Sequence, residues 1–131
     1  MNEIVREWIQ KAEGDYHSAL REYRARKFPN FDAAGFHAQQ CIEKYLKAFL
    51  QLHQLPFQKT HDLLALQHLC SNVLPELEFY RDLLAYLSQF AIVYRYPGEN
   101  ATKEQAKKAI QALKQLRSFL REKLNLPKEE G

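Results

Sequence analysis

Residues 32–52, DAAGFHAQQCIEKYLKAFLQL, decide the fold. Ala34, Ala38, Cys41, Ile42, Tyr45, Leu46, Phe49 and Leu52 recur at steps of three and four, the period that stacks side chains on one face of a helix. His37, Gln40, Lys44, Lys47 and Gln51 form a polar stripe opposite. Asp32 is positioned to cap the start, and Leu55-Pro56 breaks the pattern. The stretch is therefore predicted to be an amphipathic helix with one face committed to a core.

The same period extends outward on both sides. Upstream, Val5, Trp8, Ile9, Ala12, Tyr16, Ala19, Leu20 and Tyr23 predict a helix from about residue 3 to about 26, ended by Phe28-Pro29-Asn30. Downstream, Thr60 is the expected cap of a shorter helix carrying Leu63, Leu64, Leu66, Leu69, Cys70 and Val73. Pro75-Glu76 has the form of a helix start, and the apolar positions from Leu77 to Tyr94 predict a fourth helix stopped by Pro97-Gly98. Thr102 and Gln105 have capping-box spacing and open a fifth helix that runs toward Asn125-Leu126-Pro127. No segment alternates as a strand does, and no repeat is present. The expectation is an all-α, up-and-down bundle of about five helices, one domain over 1–127 with a frayed tail at 128–131.

Composition agrees with a globular chain. At 131 residues there is room for one core, and 46% hydrophobic with 27% charged residues is far from the balance of a disordered chain. Four glycines and five prolines leave most of the chain to residues that lose little entropy in a helix. The apolar runs are too short to cross a bilayer and no signal pattern opens the chain, so a cytoplasmic protein without a membrane association is expected. Cys41 and Cys70 lack any zinc-ligand spacing and read as small interior hydrophobes. Residues 1–101 carry 11 Lys and Arg against 12 Asp and Glu, whereas residues 102–131 carry 8 against 4, so the positive excess belongs to the last helix. Such a stripe suits a phosphate backbone or an acidic partner, and equally a solvated helix face.

Chemistry has few candidate seats. No HExxH pair, P-loop or GxGxxG is present, and no third ligand is tied by spacing to His61 and His68, so neither a metal nor a cofactor is expected. In Ile92-Val93-Tyr94-Arg95-Tyr96-Pro97-Gly98-Glu99-Asn100, an arginine stands between two tyrosines beside a helix break. A guanidinium there can fork onto phosphate while the rings stack on bases, or it can simply meet the helix's last carbonyls. Lys59-Thr60-His61-Asp62 places a base and a carboxylate at a loop-to-helix junction, where a cap is the plainer reading.

Four blocks of residues in order carry a resemblance to a known family. Trp8, Ala12, Asp15 and Ala19, then Phe36 through Ala48, then Lys59-Thr60-His61-Asp62-Leu63, and finally Tyr94-Arg95-Tyr96-Pro97 resemble the successive motifs of the HEPN domain, over roughly residues 5 to 124. The resemblance implies a helical bundle that forms homodimers, with a functional cleft along the dimer interface. It also implies a minimal nucleotidyltransferase as a partner, the two resembling a toxin-antitoxin pair. Many members are metal-independent ribonucleases that use an Arg followed after four to six residues by a His. Here the chain departs from the pattern, because the positions after Arg95 where that histidine belongs are Asn100, Ala101 and Thr102. Asparagine cannot relay a proton near neutral pH, and general acid-base assistance is typically worth roughly 10²–10⁴-fold, so efficient cleavage is not expected.

Three functional readings follow. The first is a nucleotide- or RNA-associated dimer contacting its ligand through Lys44, Lys47, Tyr94, Arg95, Tyr96 and Asn100, with His61 nearby. The second is an active metal-independent ribonuclease using Arg95 and His61 as catalytic residues. The third is a purely structural dimerisation module.

Overall fold

The computed structural model describes residues 1–128, so the expected frayed tail falls largely outside the described residues, at 129–131. Five α-helices form an all-α bundle: α1 (Glu3–Arg24), α2 (Phe31–Leu52), α3 (Leu63–Cys70), α4 (Arg81–Ser88) and α5 (Lys103–Lys123). Contacts between α1 and α2 join Tyr23 to Phe31, Asp15 to Lys44 and Trp8 to Lys47, so the two helices run antiparallel. Along α5, Asp32 meets Ala101 near its start and Tyr45 meets Arg121 near its end, so α5 runs in the same direction as α2.

Helix α2 is the axis of the molecule. It packs against α1, α3, α4 and α5, and its apolar positions Ala38, Cys41, Ile42, Tyr45 and Leu46 are fully buried. The core continues from Val5 of α1 to Leu124 after α5. Both cysteines are buried and free, and burial pushes their thiols up, that of Cys70 to about 12. No helix among the described residues is long and apolar enough to cross a membrane.

Several local expectations need correction. The Asn30 side chain caps α2 by accepting from Ala33 N at 2.9 Å. Asp32 lies two residues further on, in the first turn, and its Oδ1 accepts from Ala101 N at 2.6 Å, so it ties the entry of α5 to the start of α2. The cap of α3 is Asp62, which accepts from Leu64 N at 3.0 Å, while Thr60 Oγ1 accepts from Asp62 N at 3.1 Å. Helix α1 ends at Arg24, and Phe28 turns the chain with a φ of 53°. The capping box of α5 forms as expected, with Thr102 accepting from Gln105 N at 3.1 Å and Gln105 Oε1 accepting from Thr102 N at 2.8 Å.

The expected fourth helix is the largest departure. Residues 75–95 form a 3₁₀ helix over Pro75–Tyr80, then α4, then single 3₁₀ turns at Gln89–Ala91 and Val93–Arg95. Ile92, at φ −123° and ψ −61°, lies outside helical geometry and separates the last two turns. Apolar residues at steps of three satisfy a 3₁₀ turn as well as an α-turn, so periodicity alone could not reveal the break.

Candidate functional site

The polar face of α2 is turned inward, where it meets carboxylates. Glu43 is 2% exposed, yet it has four partners. Its Oε1 accepts from Gln39 Nε2 at 3.1 Å, Gln40 Nε2 at 3.3 Å and His61 Nδ1 at 2.9 Å, and its Oε2 accepts from Lys47 Nζ at 2.9 Å. Gln39 also donates to the His61 carbonyl at 2.9 Å, which fixes the loop before α3 against α2. Lys47 is buried and lies 5.6 Å from the Trp8 ring centroid. A buried carboxylate with this many donors is the arrangement that makes burying its charge tolerable.

His61 differs from the rest of this cluster in being 62% exposed at its side chain. A carboxylate only accepts, so Nδ1 carries the hydrogen toward Glu43. A second carboxylate, Asp15 of α1, receives His37 Nδ1 at 2.8 Å and Lys44 Nζ. Glu13, two residues earlier, accepts from Tyr45 OH and from Arg117 Nε at 2.8 Å and Nη2 at 2.6 Å. Burial alone would push the Glu13 carboxyl up, but the hydrogen bonds from Arg117 and Tyr45 and the charges of Arg117 and Arg121 hold it below the usual carboxylate range. Burial and the bond to Glu13 push the Tyr45 phenol up.

The segment after α4 is built differently. Phe90 is buried against α2 because Gly35 leaves it room: a Cβ on Gly35 would lie 2.0 Å from the ring. Tyr94 stacks on Phe90 with ring centroids 4.8 Å apart. Beyond that anchor the chain is open, with Ile92 65% and Tyr96 66% exposed. Arg95 is exposed, and its side chain has no hydrogen-bond or ion-pair partner among the described residues, the nearby carbonyls included. A turn follows, closed by Glu99 N donating to Tyr96 O at 3.3 Å, in which Gly98 has φ 92°. Proline then glycine at its central positions is the order a type II turn requires. Asn100 is exposed just before Asp32 pins Ala101.

The expected site residues thus fall into two groups. Lys47 and His61 share Glu43, with Lys44 one turn away on Asp15; Tyr94, Arg95, Tyr96 and Asn100 lie together on the open segment. Both groups rest on α2, the second through Phe90 at Gly35. Among the described residues no hydrogen bond or ion pair joins them, and no group of three or more His, Cys, Asp and Glu side chains could hold a metal ion. Sequence reading missed Glu43, Gln39, Glu13 and Asp32 as organising residues. Glu43 and Lys47 were visible as an i,i+4 pair, the spacing of any exposed helical ion pair, and nothing in the spacing marks this one as buried.

Comparison with known proteins agrees with this architecture. The family model described as HEPN domain matches residues 5–123. The crystal structure of an archaeal HEPN homologue superposes with a TM-score of 0.70 at 21% identity, covering 92% of this chain and 97% of that one. At that identity the likeness concerns the fold. No curated protein matches the chain.

Proposed function

The chain belongs to the HEPN domain family, and from that premise we propose that it acts as a homodimeric, nucleotide- or RNA-associated module, paired with a minimal nucleotidyltransferase in a toxin-antitoxin-like system. The observation that carries this reading is the unpartnered Arg95 guanidinium between Tyr94 and Tyr96, on a surface that also exposes Ile92 and Val93. An exposed apolar patch suits burial against a second copy, and an arginine with five unused donors suits the phosphate of a ligand in the cleft so formed. Lys44 and Lys47 flank this reading from α2 as positive charges already held by carboxylates. With Asn100 where the family's ribonucleases have histidine, the module binds without cleaving efficiently.

The test uses purified protein and single-stranded RNA in chelator. A dimer by light scattering, intact RNA, and binding weakened at least tenfold by Arg95→Ala support the reading. A monomer, or binding indifferent to Arg95, overturns it; a dimer that takes up neither RNA nor nucleotide leaves a structural dimerisation module.

One observation favours a second reading, that of an active ribonuclease using Arg95 and His61. Glu43 holds the Nδ1 of an exposed imidazole, the arrangement that orients a general base. RNA cleavage in chelator that is lost in both His61→Gln and Arg95→Ala would establish it.

A further inference from the structure

The turn between α1 and α2 carries Arg24-Ala25-Arg26-Lys27-Phe28, three cations and no acid, and each charged side chain is exposed without a hydrogen-bond or ion-pair partner among the described residues. We propose that this turn is a second contact for single-stranded RNA, with Phe28 stacking on a base and Arg26 and Lys27 meeting the flanking phosphates. The inference rests on the RNA-associated reading and extends it to a part of the chain outside the four motif blocks.

Phe28 is the residue hardest to account for by folding. It is 94% exposed, so it adds nothing to the core, and its φ of 53° puts a bulky residue in the left-handed region that glycine enters at lower cost. The turn is closed by Asn30 N donating to Glu22 O at 3.3 Å, and Tyr23 and Phe31, both packed on the core, flank it. The Phe28 ring is thereby left standing in solvent between two anchored ones. The cations are not required by the helix end either. Helix α1 stops at Arg24 with Arg21 and Arg24 in its last turn, and the field of a helix dipole fades within that turn. Arg26 and Lys27 stand beyond it.

Position relates the turn to Arg95. Asp32 Oδ1 holds Ala101 N and Phe90 packs at Gly35, so the open segment with Arg95, Tyr96 and Asn100 lies at the same end of α2 as the turn. Exposed rings at Phe28 and Tyr96, and unpartnered cations on both loops, offer stacking platforms and phosphate contacts side by side, the combination that single-stranded nucleic acid takes. Bases of a single strand can splay out onto such rings, whereas those of a duplex are already stacked on one another. An anionic membrane would also attract the cations, but Phe28 is the single ring at the tip of this turn, and stacking needs only one ring per base.

Fluorescence anisotropy with a labelled oligouridylate, in chelator, tests the proposal on the intact protein. Wild type is expected to bind the single strand more tightly than a duplex of the same length. Phe28→Gly should weaken binding about tenfold, the scale of one lost stacking contact. Its melting temperature should stay the same or rise, because glycine suits a φ of 53°. Phe28→Trp should retain binding. Arg26→Gln with Lys27→Gln should weaken binding and flatten the slope of log affinity against log salt by about 1.4, the share of two phosphate contacts on a single strand. The matched control is Arg6→Gln with Lys11→Gln, two exposed cations roughly 20 Å or more from Arg24 along α1 and beyond the Debye length, which should leave binding unchanged. RNA binding that depends on Arg95 but is indifferent to Phe28 and to the Arg26 and Lys27 pair overturns this proposal and leaves the earlier reading standing; binding that depends on the turn but not on Arg95 does the reverse. Failure of wild type to bind the oligonucleotide overturns the proposal, while mononucleotide binding lost in Arg95→Ala would still support the earlier reading. Equal losses in the control pair, or association with phosphatidylserine vesicles that is lost in Phe28→Gly while RNA binding is not, overturn it as well.

Discussion

The charged residues of α2 and the open segment after α4 both come from family motifs, but the protein treats them in opposite ways. Lys44, Lys47 and Glu43 are saturated: each is paired, two of the three are buried, and together they hold α1, α2 and the loop before α3 in register. The side chains of Arg95 and Tyr96 are exposed and have no hydrogen-bond or ion-pair partner among the described residues. Residues of one motif set can therefore be indispensable for different reasons, and stability measurements separate those reasons where activity alone would not.

The largest expected effect is on the saturated side. Glu43→Ala removes the carboxylate paired with buried Lys47, so a loss of about 3–5 kcal/mol is expected in urea denaturation. A loss below about 1 kcal/mol would mean that the network adds little and that the contrast between the regions is false. Gly35→Ala comes next and probes the joint between them. Its new methyl group would collide with the buried Phe90 ring, and overpacking of this kind costs up to about 3 kcal/mol. Because Tyr94 stacks on that ring, the same variant should release the open segment, visible as faster amide exchange at residues 92–96.

Acid sharpens the comparison further. The Glu13 carboxyl is held below its ordinary value of 4.5, so the unfolded chain takes up its proton first as pH falls. The stabilisation this group provides is present above pH 4.5 and is lost as pH drops below it through the folded-state value. Glu13→Gln is expected to cost about 2 kcal/mol at pH 7, the scale of a hydrogen bond to a charged group. Thermal melts from pH 7 down to 2.5 should show the difference between variant and wild type narrowing at the acid end; a constant difference would remove the charged pair with Arg117 from the account.

How much of this was legible in the sequence follows from the range of the interactions. Helices α1, α2 and α5 were readable because amphipathic period and capping boxes are local, and Thr102 with Gln105 shows it. The division of residues 75–95 into α4 and 3₁₀ turns was not, since Leu77, Leu84, Leu87 and Phe90 all face the core whichever helix type carries them. Asp32 was misread for a similar reason: its residue type suits a helix cap, but its partner, Ala101, is 69 positions away. Among the site residues, Arg95 was picked out by its neighbours Tyr94 and Tyr96, and it lies on the exposed segment. Lys47 looked like a surface cation because nothing local reveals that α2 is enclosed by α1, α3, α4 and α5.

The smallest stability effect belongs to the residue with the largest proposed role. Arg95→Ala removes a side chain with no partner among the described residues and should change unfolding free energy by less than about 0.5 kcal/mol. The same substitution is the one expected to weaken RNA or nucleotide association, so the two readouts move independently. A substantial destabilisation measured by chemical denaturation at low protein concentration would mean that Arg95 already makes structural contacts within the monomer. If destabilisation instead grows with protein concentration, the contact is intermolecular, because dimerisation raises apparent stability by mass action. The concentration dependence of one exposed arginine therefore distinguishes a surface waiting for ligand from a surface already shared with a second copy.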